Sequence, residues 1–400
     1  MINFKDFLFV SKLDESLADH TKHITHLSHY EDMGHEYGHE GTEHAIAALK
    51  DAHDHIANGK HDDKLTTKID GGVSVVAGHH PNTGQPFVAY KGELGKMSNG
   101  TDTKVCYSHA DCDKHFGDKP YLVDKMKSLL DHTHKVLPKK GVYQGDVLFG
   151  EHDKKDEGNK VSFTPNTITY SAKKSTNEGK KIGKAKLGIS FHTAYDKQSD
   201  GSLQARPVKQ GEIGSHDGVY HLSTSNDTSK ANLPESEKTE FHNHIAAAEA
   251  IHNHGGHAMY DAIKPTSDHI STYINQTVRD GTSPSTEGLK AHISEKHQKL
   301  ADKVKTEKSK QSKIKTGEEL NNHIDNNQEH FDNYFKMHHH IQEAKNTLVH
   351  ALNNADHPLE HTIDGKSTHP EGYVSYHEGV PGKLVDRQEF AKANFAKART

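Results

Sequence analysis

Apolar and polar positions alternate with two different periods along this chain, and the period changes three times. Up to about residue 66 the spacing is helical: Ala45, Ile46, Leu49, Ala52 and Ile56 fall on one helical face. From about 67 to 200 short β-like runs take over: Lys68 to Val76, Pro86 to Tyr90, Gly141 to Phe149, Val161 to Tyr170 and Lys186 to His192. Turn residues such as Pro81-Asn82-Thr83-Gly84 separate them. One helix interrupts this region, Tyr121 to Val136, with Leu122, Met126, Leu129 and Leu130 at helical spacing.

Helical spacing returns over residues 235 to 356, where Phe241, Ile245, Ala248 and Ile251 repeat and Glu318 to Ala355 reads as long, polar helix. The run Lys303 to Lys315 reads as a solvated face or turn. From about 366 the pattern is β again, in Gly372-Tyr373-Val374-Ser375-Tyr376 and Lys383-Leu384-Val385. The predicted organisation is therefore an N-terminal helical segment (1–66), the first part of an α/β core (67–200), a mainly helical insertion (201–365) and a completion of the core (366–400). No internal repeat is evident.

Composition narrows the classes. With 400 residues, 31% hydrophobic, and a mean hydropathy of −0.90, a modest core with solvated helical additions fits better than one large uniform core. The formal charge of −6 does not announce a nucleic-acid binder, although a local basic groove is compatible with it. Two cysteines, Cys106 and Cys112, argue against a disulfide framework. Met1 to Val10, carrying Lys5 and Asp6, does not read as a signal peptide, and no run approaches eighteen apolar residues. A cytoplasmic protein without membrane partners is the expectation.

Three stations carry candidate chemistry. Lys68-Ile69-Asp70-Gly71 stands at the start of the β region, Gln144-Gly145-Asp146-Val147 in the middle, and Glu371-Gly372-Tyr373-Val374 with Lys383 near the end. A lysine that forms a phosphoramidate needs a neutral amine aimed at an α-phosphate, with carboxylates and a divalent cation close by. Lys68 is the candidate nucleophile. Asp70, two residues on, lies on the same side of an extended strand, and Gly71 permits close backbone approach to a nucleotide. Each tetrapeptide alone reads more readily as an exposed strand end or loop; it is their order that raises the nucleotide reading.

In this order the stations resemble the covalent nucleotidyltransferase superfamily of ATP-dependent DNA ligases, RNA ligases and capping enzymes. The chain also looks like a group of tailed-phage proteins. These share a His-rich segment (here His23-Ile24-Thr25-His26-Leu27), Tyr107-Ser108-His109-Ala110, Pro165-Asn166-Thr167-Ile168-Thr169-Tyr170 and Lys383-Leu384-Val385-Asp386-Arg387. The likeness covers roughly residues 20–195 and 365–395, not the insertion. It implies an α+β fold with an antiparallel, ligase-like core. It implies ATP and Mg2+, with Lys68, Asp70 and Lys383 catalytic. Gly71, Asp146 and Tyr170 would hold the nucleotide, Tyr170 by stacking on the base, and Glu371 and Asp146 the metal. It also implies DNA or RNA ends as partners and, for a phage-encoded chain, the host cytoplasm.

The sequence departs from the superfamily pattern at Val73, where an arginine is common, at Val385, where a second lysine is usual, and at Asp146, where glutamate is usual. The competing reading is a non-catalytic phage binding or virion protein that keeps the fold and uses the helical insertion for phage or host contacts.

Three histidine patterns have other readings. His35-Glu36-Tyr37-Gly38-His39 matches the zincin helix motif, but Gly34 and Gly38 oppose a regular helix there. Cys106 and Cys112 with His109 and His115 lack finger spacing. His338-His339-His340 and His242-Asn243-His244 read as solvated helix faces in a chain with 38 histidines.

Overall fold

The computed structural model describes residues 27–59, 63–98, 104–199, 201–226 and 228–390. His23 to His26, and the rest of the predicted N-terminal helical segment up to residue 26, lie outside the described residues. In chain order the first half comprises β1 (Ser28–His29), α1 (Met33–Ala57), β2 (Leu65–Lys68), β3 (Ser74–His79), β4 (Pro86–Tyr90), α2 (Leu94–Ser98) and β5 (Val105–Cys106). Then come α3 (His109–Phe116), α4 (Pro120–His132), β6 (Val142–Gly150), β7 (Lys155–Glu157), β8 (Lys160–Phe163), β9 (Thr169–Lys173), α5 (Asn177–Lys184), β10 (Leu187–Lys197), β11 (Leu203–Pro207) and β12 (Val219–His221). A helical block follows: α6 (Glu235–Ile263), α7 (Ser267–Asp280), α8 (Thr286–Asp302), α9 (Glu307–Asn326) and α10 (Gln328–Asn353). The chain closes with β13 (Glu360–Ile363), β14 (Lys366–Ser367), β15 (Gly372–His377) and β16 (Val380–Leu384).

The fold is mixed α and β, with sheets built mainly of antiparallel pairs. One sheet runs β1-β16-β15-β2, a second β11-β10-β6-β3-β4-β5 with β12 beside β10, and a third β14-β13-β9-β8-β7. Two predicted strands turn out to be pairs. Lys68 to Val76 breaks after Lys68, because Ile69 to Val73 carry the chain from the first sheet to the second. Val161 to Tyr170 breaks at Thr164 to Ile168, a turn between β8 and β9.

The helical block is narrower than the pattern implied. β11 and β12 join the second sheet and β13 and β14 the third, which leaves residues 235–353 as helices. Nor is the block a solvated appendage. Phe241, Ile245, Phe331, Tyr334, Ile341 and Leu348 share one apolar core with Ala45, Ile46 and Leu49 of α1 and with Leu65, Tyr373 and Leu384 of the first sheet. α10 runs through its middle, and α9 keeps only Gly317 and Ile324 buried. The helix ends follow from local chemistry: Ser285 and Thr306 cap α8 and α9 by accepting from backbone N–H groups, and Gly281 ends α7 in the left-handed conformation. No helix among the described residues is long and apolar enough to cross a membrane.

Candidate active site

The first two sheets face each other across a cavity of about 370 Å3, within the usual range for small-ligand sites. Alternation along the strands of the second sheet builds its floor. In β10, Leu187, Ile189 and Phe191 enter an apolar core while Ser190 and His192 line the cavity. In β6, Tyr143 and Val147 enter that core while Gln144 and Asp146 line the cavity. Register aligns these positions: Asp146 lies opposite Ser74 of β3 on one side and Ser190 of β10 on the other. A polar row thus crosses the centre of an otherwise apolar sheet. Such a row costs free energy unless it is hydrogen-bonded or used. Ser190 Oγ donates to the Leu222 carbonyl at 2.9 Å, and Gln144 accepts from the Tyr195 hydroxyl at 2.8 Å.

The opposite wall comes from the first sheet. Lys68 ends β2, opposite Gly372 of β15, so Glu371 just ahead of that strand reaches the lysine. Lys68 Nζ and Glu371 Oε2 form an ion pair. Burial raises the Glu371 pKa, opposed by the positive charge of Lys68 and more weakly of Lys383. Lys383, opposite Val374 on β16, lines the same cavity. Burial, then the neighbouring charge of Lys68, pushes its pKa down to about 8. Among the described residues Lys383 makes no ion pair, so the cavity holds a desolvated cation with space in front of it.

Asp146 brings the third contribution. Its Oδ2 lies 3.7 Å from His192 Nε2, whose pKa is lowered by burial. Gly71 lies hard against it; a Cβ there would overlap the Asp146 side chain, so the motif glycine is fixed by the approach of these two segments.

Two sequence-derived roles need correction. Asp70 does not share a strand face with Lys68, because the chain has already left β2. Its Oδ1 accepts from Asn166 Nδ2 at 2.7 Å, and its Oδ2 from the backbone N–H groups of Thr167 and Ile168, each at 2.7 Å. A carboxylate so engaged pins the turn after β8 beneath the lysine; it is a positioning residue. Tyr170 is fully buried and stacked on Phe163, with no face for a base. Its hydroxyl accepts from the Asp70 N–H at 2.8 Å, which ties the same turn from the other side.

Lys68, Asp70, Gly71, Asp146, Glu371 and Lys383 therefore line one cavity, and Tyr170 is not among its lining residues. Sequence reading missed Ser190 and His192, although the polar alternation inside the Lys186 to His192 run was the signal for both.

The histidine patterns resolve differently. Both ring nitrogens of His35 are engaged, with the Tyr334 hydroxyl at 2.6 Å and Ser271 Oγ at 2.8 Å. Gly38 breaks the helix between His35 and His39, so the zincin arrangement does not form. Cys106 and Cys112 are buried, and among the described residues they join no metal-holding group. His338 is not on a solvated face but buried, 3.1 Å from Asp32. His244 meets His340 at 2.9 Å.

The two cavity carboxylates are of the donor type that magnesium takes. Magnesium keeps several waters and takes one or two carboxylates beside the phosphates. Asp146 and Glu371 provide two carboxylates, and Asp70 is fully engaged elsewhere.

The chain belongs to a family of unknown function, DUF6267, whose model matches residues 24–399. The match runs through α6 to α10, so the helical block is part of the family unit. No curated protein and no solved structure matches the chain.

Proposed function

We propose that the cavity is a nucleotide site and that the protein is an ATP-dependent nucleotidyltransferase, a polynucleotide ligase-like enzyme working through a nucleotide held on Lys68. The observation that supports this is the convergence of Lys68, Asp146, Glu371 and Lys383, drawn from three distant parts of the chain, on one cavity.

In this reading Lys68 Nζ forms a bond to the α-phosphorus of ATP. The bond from that phosphorus to the bridging oxygen breaks, and pyrophosphate leaves. Lys68, an ammonium in its ion pair with Glu371, gives up one proton to that carboxylate, whose pKa burial raises, before its lone pair can attack, and loses a second to water as the P–N bond forms. Lys383 meets the negative charge that develops on the phosphoryl oxygens, and Asp146 and Glu371 are the residues that would hold Mg2+. Bound Mg2+ offsets the phosphate charge. A 5′-phosphate oxygen of a DNA or RNA end then attacks the same phosphorus, the P–N bond breaks, and the amine regains its proton.

The test is incubation with Mg2+ and α-labelled ATP or GTP, followed by a denaturing gel. An acid-labile label absent from Lys68→Ala and Lys68→Arg supports the enzyme. Nucleotide binding without label on any nucleotide supports the competing reading, a non-catalytic scaffold. Neither label nor binding sinks the nucleotide site altogether.

A further inference from the structure

Two helices of this protein break at matching places. In α1, Gly38 has φ 69° and ψ −145°; in α6, Gly256 has φ 49° and ψ −158°. Glycine tolerates these angles and other residues rarely do. A histidine follows each, His39 and His257, and the kinks bring their rings face to face, with centroids 4.1 Å apart and planes 18° apart. His252 of α6 closes the group, its ring centroid 4.2 Å from that of His39. Glu43 lies one turn beyond His39. Its carboxylate is 3.6 Å from His39 Nδ1 and 3.9 Å from His252 Nε2.

His252 carries a second, independent observation. It is 4% exposed, and its Nε2 is buried with no hydrogen-bond partner. Its Nδ1 lies 2.6 Å from the Tyr260 hydroxyl, which donates in turn to Met337 Sδ at 3.5 Å. Nδ1 is thus engaged, and Nε2 faces the Glu43 carboxylate without a hydrogen bond. Leaving a buried ring nitrogen unused costs free energy, and a hydrogen bond at the far nitrogen is how metal-binding histidines are oriented.

The separations point the same way. At 3.6 and 3.9 Å the pairs are too long for hydrogen bonds. Two ligands of one tetrahedral zinc ion, each about 2.0–2.1 Å from it, lie roughly 3.4 Å apart. The ligand atoms of all three residues fall within 4.8 Å of one another.

We infer that His39, Glu43 and His252 form a site for one divalent transition-metal ion, Zn2+ fitting the two-imidazole, one-carboxylate donor set, with His257 stacked on His39. The ion clamps α1, which leads into β2 and Lys68, to α6 of the helical block. This site shares only His39 with the zincin-like motif, and it stands whether or not the cavity binds nucleotide.

The full chain, stripped with EDTA and dialysed, is titrated with Zn2+ against a chromophoric chelator that outcompetes weak surface histidines. One Zn2+ per chain is retained, and the melting temperature rises by several degrees. Glu43→Gln and His252→Asn each lower the affinity tenfold or more and remove the rise; His339→Ala changes neither. Glu43 is 59% exposed, so its variant keeps the fold should His252→Asn lose it. Co2+ bound in place of Zn2+ gives the strong visible bands of a low-coordinate site. A wild type that loses all its Zn2+ to the chelator, or retention that survives in both Glu43→Gln and His252→Asn, overturns the proposal.

Discussion

Two clusters of buried charge sit close together here, and they are built on opposite principles. Behind the end of β16, Glu31 and Asp32 meet Lys345 and Arg387, two anions with two cations. Lys345 donates to Glu31 at 2.6 Å with both side chains fully buried, and Arg387 donates to Asp32 at 2.8 Å. His338 adds a further bond to Asp32. In the cavity in front, Lys68 pairs with Glu371 and Lys383 is left over. The first cluster is charge-balanced and closed, and it binds α10 to the segment before α1 and to the end of the core. The second has room, and its Lys383 makes no ion pair among the described residues. Burial of charge therefore does not mark a functional site; an unmet charge facing open volume does.

The sharpest way to break this contrast is to remove one member of the closed cluster. Lys345→Met leaves Glu31 buried with Arg387 at 3.7 Å and His29 at 4.0 Å. The expected loss is roughly 3–5 kcal/mol of folding stability, read by urea unfolding. Adding Glu31→Gln recovers most of it, because the orphaned charge is gone. If Lys345→Met unfolds at wild-type urea concentrations, the closed cluster is not what docks α10.

Lys383→Met works in the opposite direction. The lysine is half-buried and its pKa is pushed down to about 8, below the ordinary value of about 10.4. Its charged form is therefore disfavoured in the fold, and below about pH 8 the fold carries a penalty on the order of 3 kcal/mol. That penalty fades as pH rises from about 8 to 10.4. The variant should be more stable than wild type at pH 7, with the difference shrinking above pH 8. Inorganic pyrophosphate binding should fall at least tenfold. Wild-type binding should itself weaken as pH passes 8, since the amine then loses its proton. Unchanged stability with unchanged anion affinity would place Lys383 outside the site.

The contrast also explains what could be read in the sequence. The β4 run, Pro86 to Tyr90, and the helical stripe of Ala45, Ile46, Leu49, Ala52 and Ile56 were legible because local period alone decides them. The breaks at Ile69 to Val73 and Thr164 to Ile168 carry turn residues, Asp70-Gly71-Gly72 and Pro165-Asn166, but what imposes them, a change of sheet and the grip of Asp70, is not local. The four cavity residues were legible as motif letters. The closed cluster was not, since nothing local distinguishes His338, 2% exposed, from its exposed neighbour His339. Val73 and Val385, two of the three departures from the ligase pattern, are apolar packing residues here: Val73 packs against the core of the second sheet, and Val385 is buried beside Gly372.

Asp70→Asn asks to which side of the contrast the motif acid belongs. It replaces a carboxylate that accepts three hydrogen bonds by an amide that can satisfy them only in part. A loss of about 2 kcal/mol is expected, with faster amide exchange at Thr167 and Ile168. A metal ligand exposed in the cavity would instead leave stability untouched and reduce magnesium dependence.

Tyr170→Phe should have the smallest effect. The ring stays stacked on Phe163, and only the hydroxyl is lost. The Asp70 N–H, buried and bonded to that oxygen at 2.8 Å, is then left unpaired. The expected cost is about 1–2 kcal/mol in urea unfolding. A tyrosine that stacks on a nucleotide base from the cavity wall would lose no stability on this change, because phenylalanine stacks as well and the hydroxyl would face water. A stability-neutral Tyr170→Phe would therefore return the ring to the binding site, whereas the expected loss fixes it as the strut beneath the Lys68 loop.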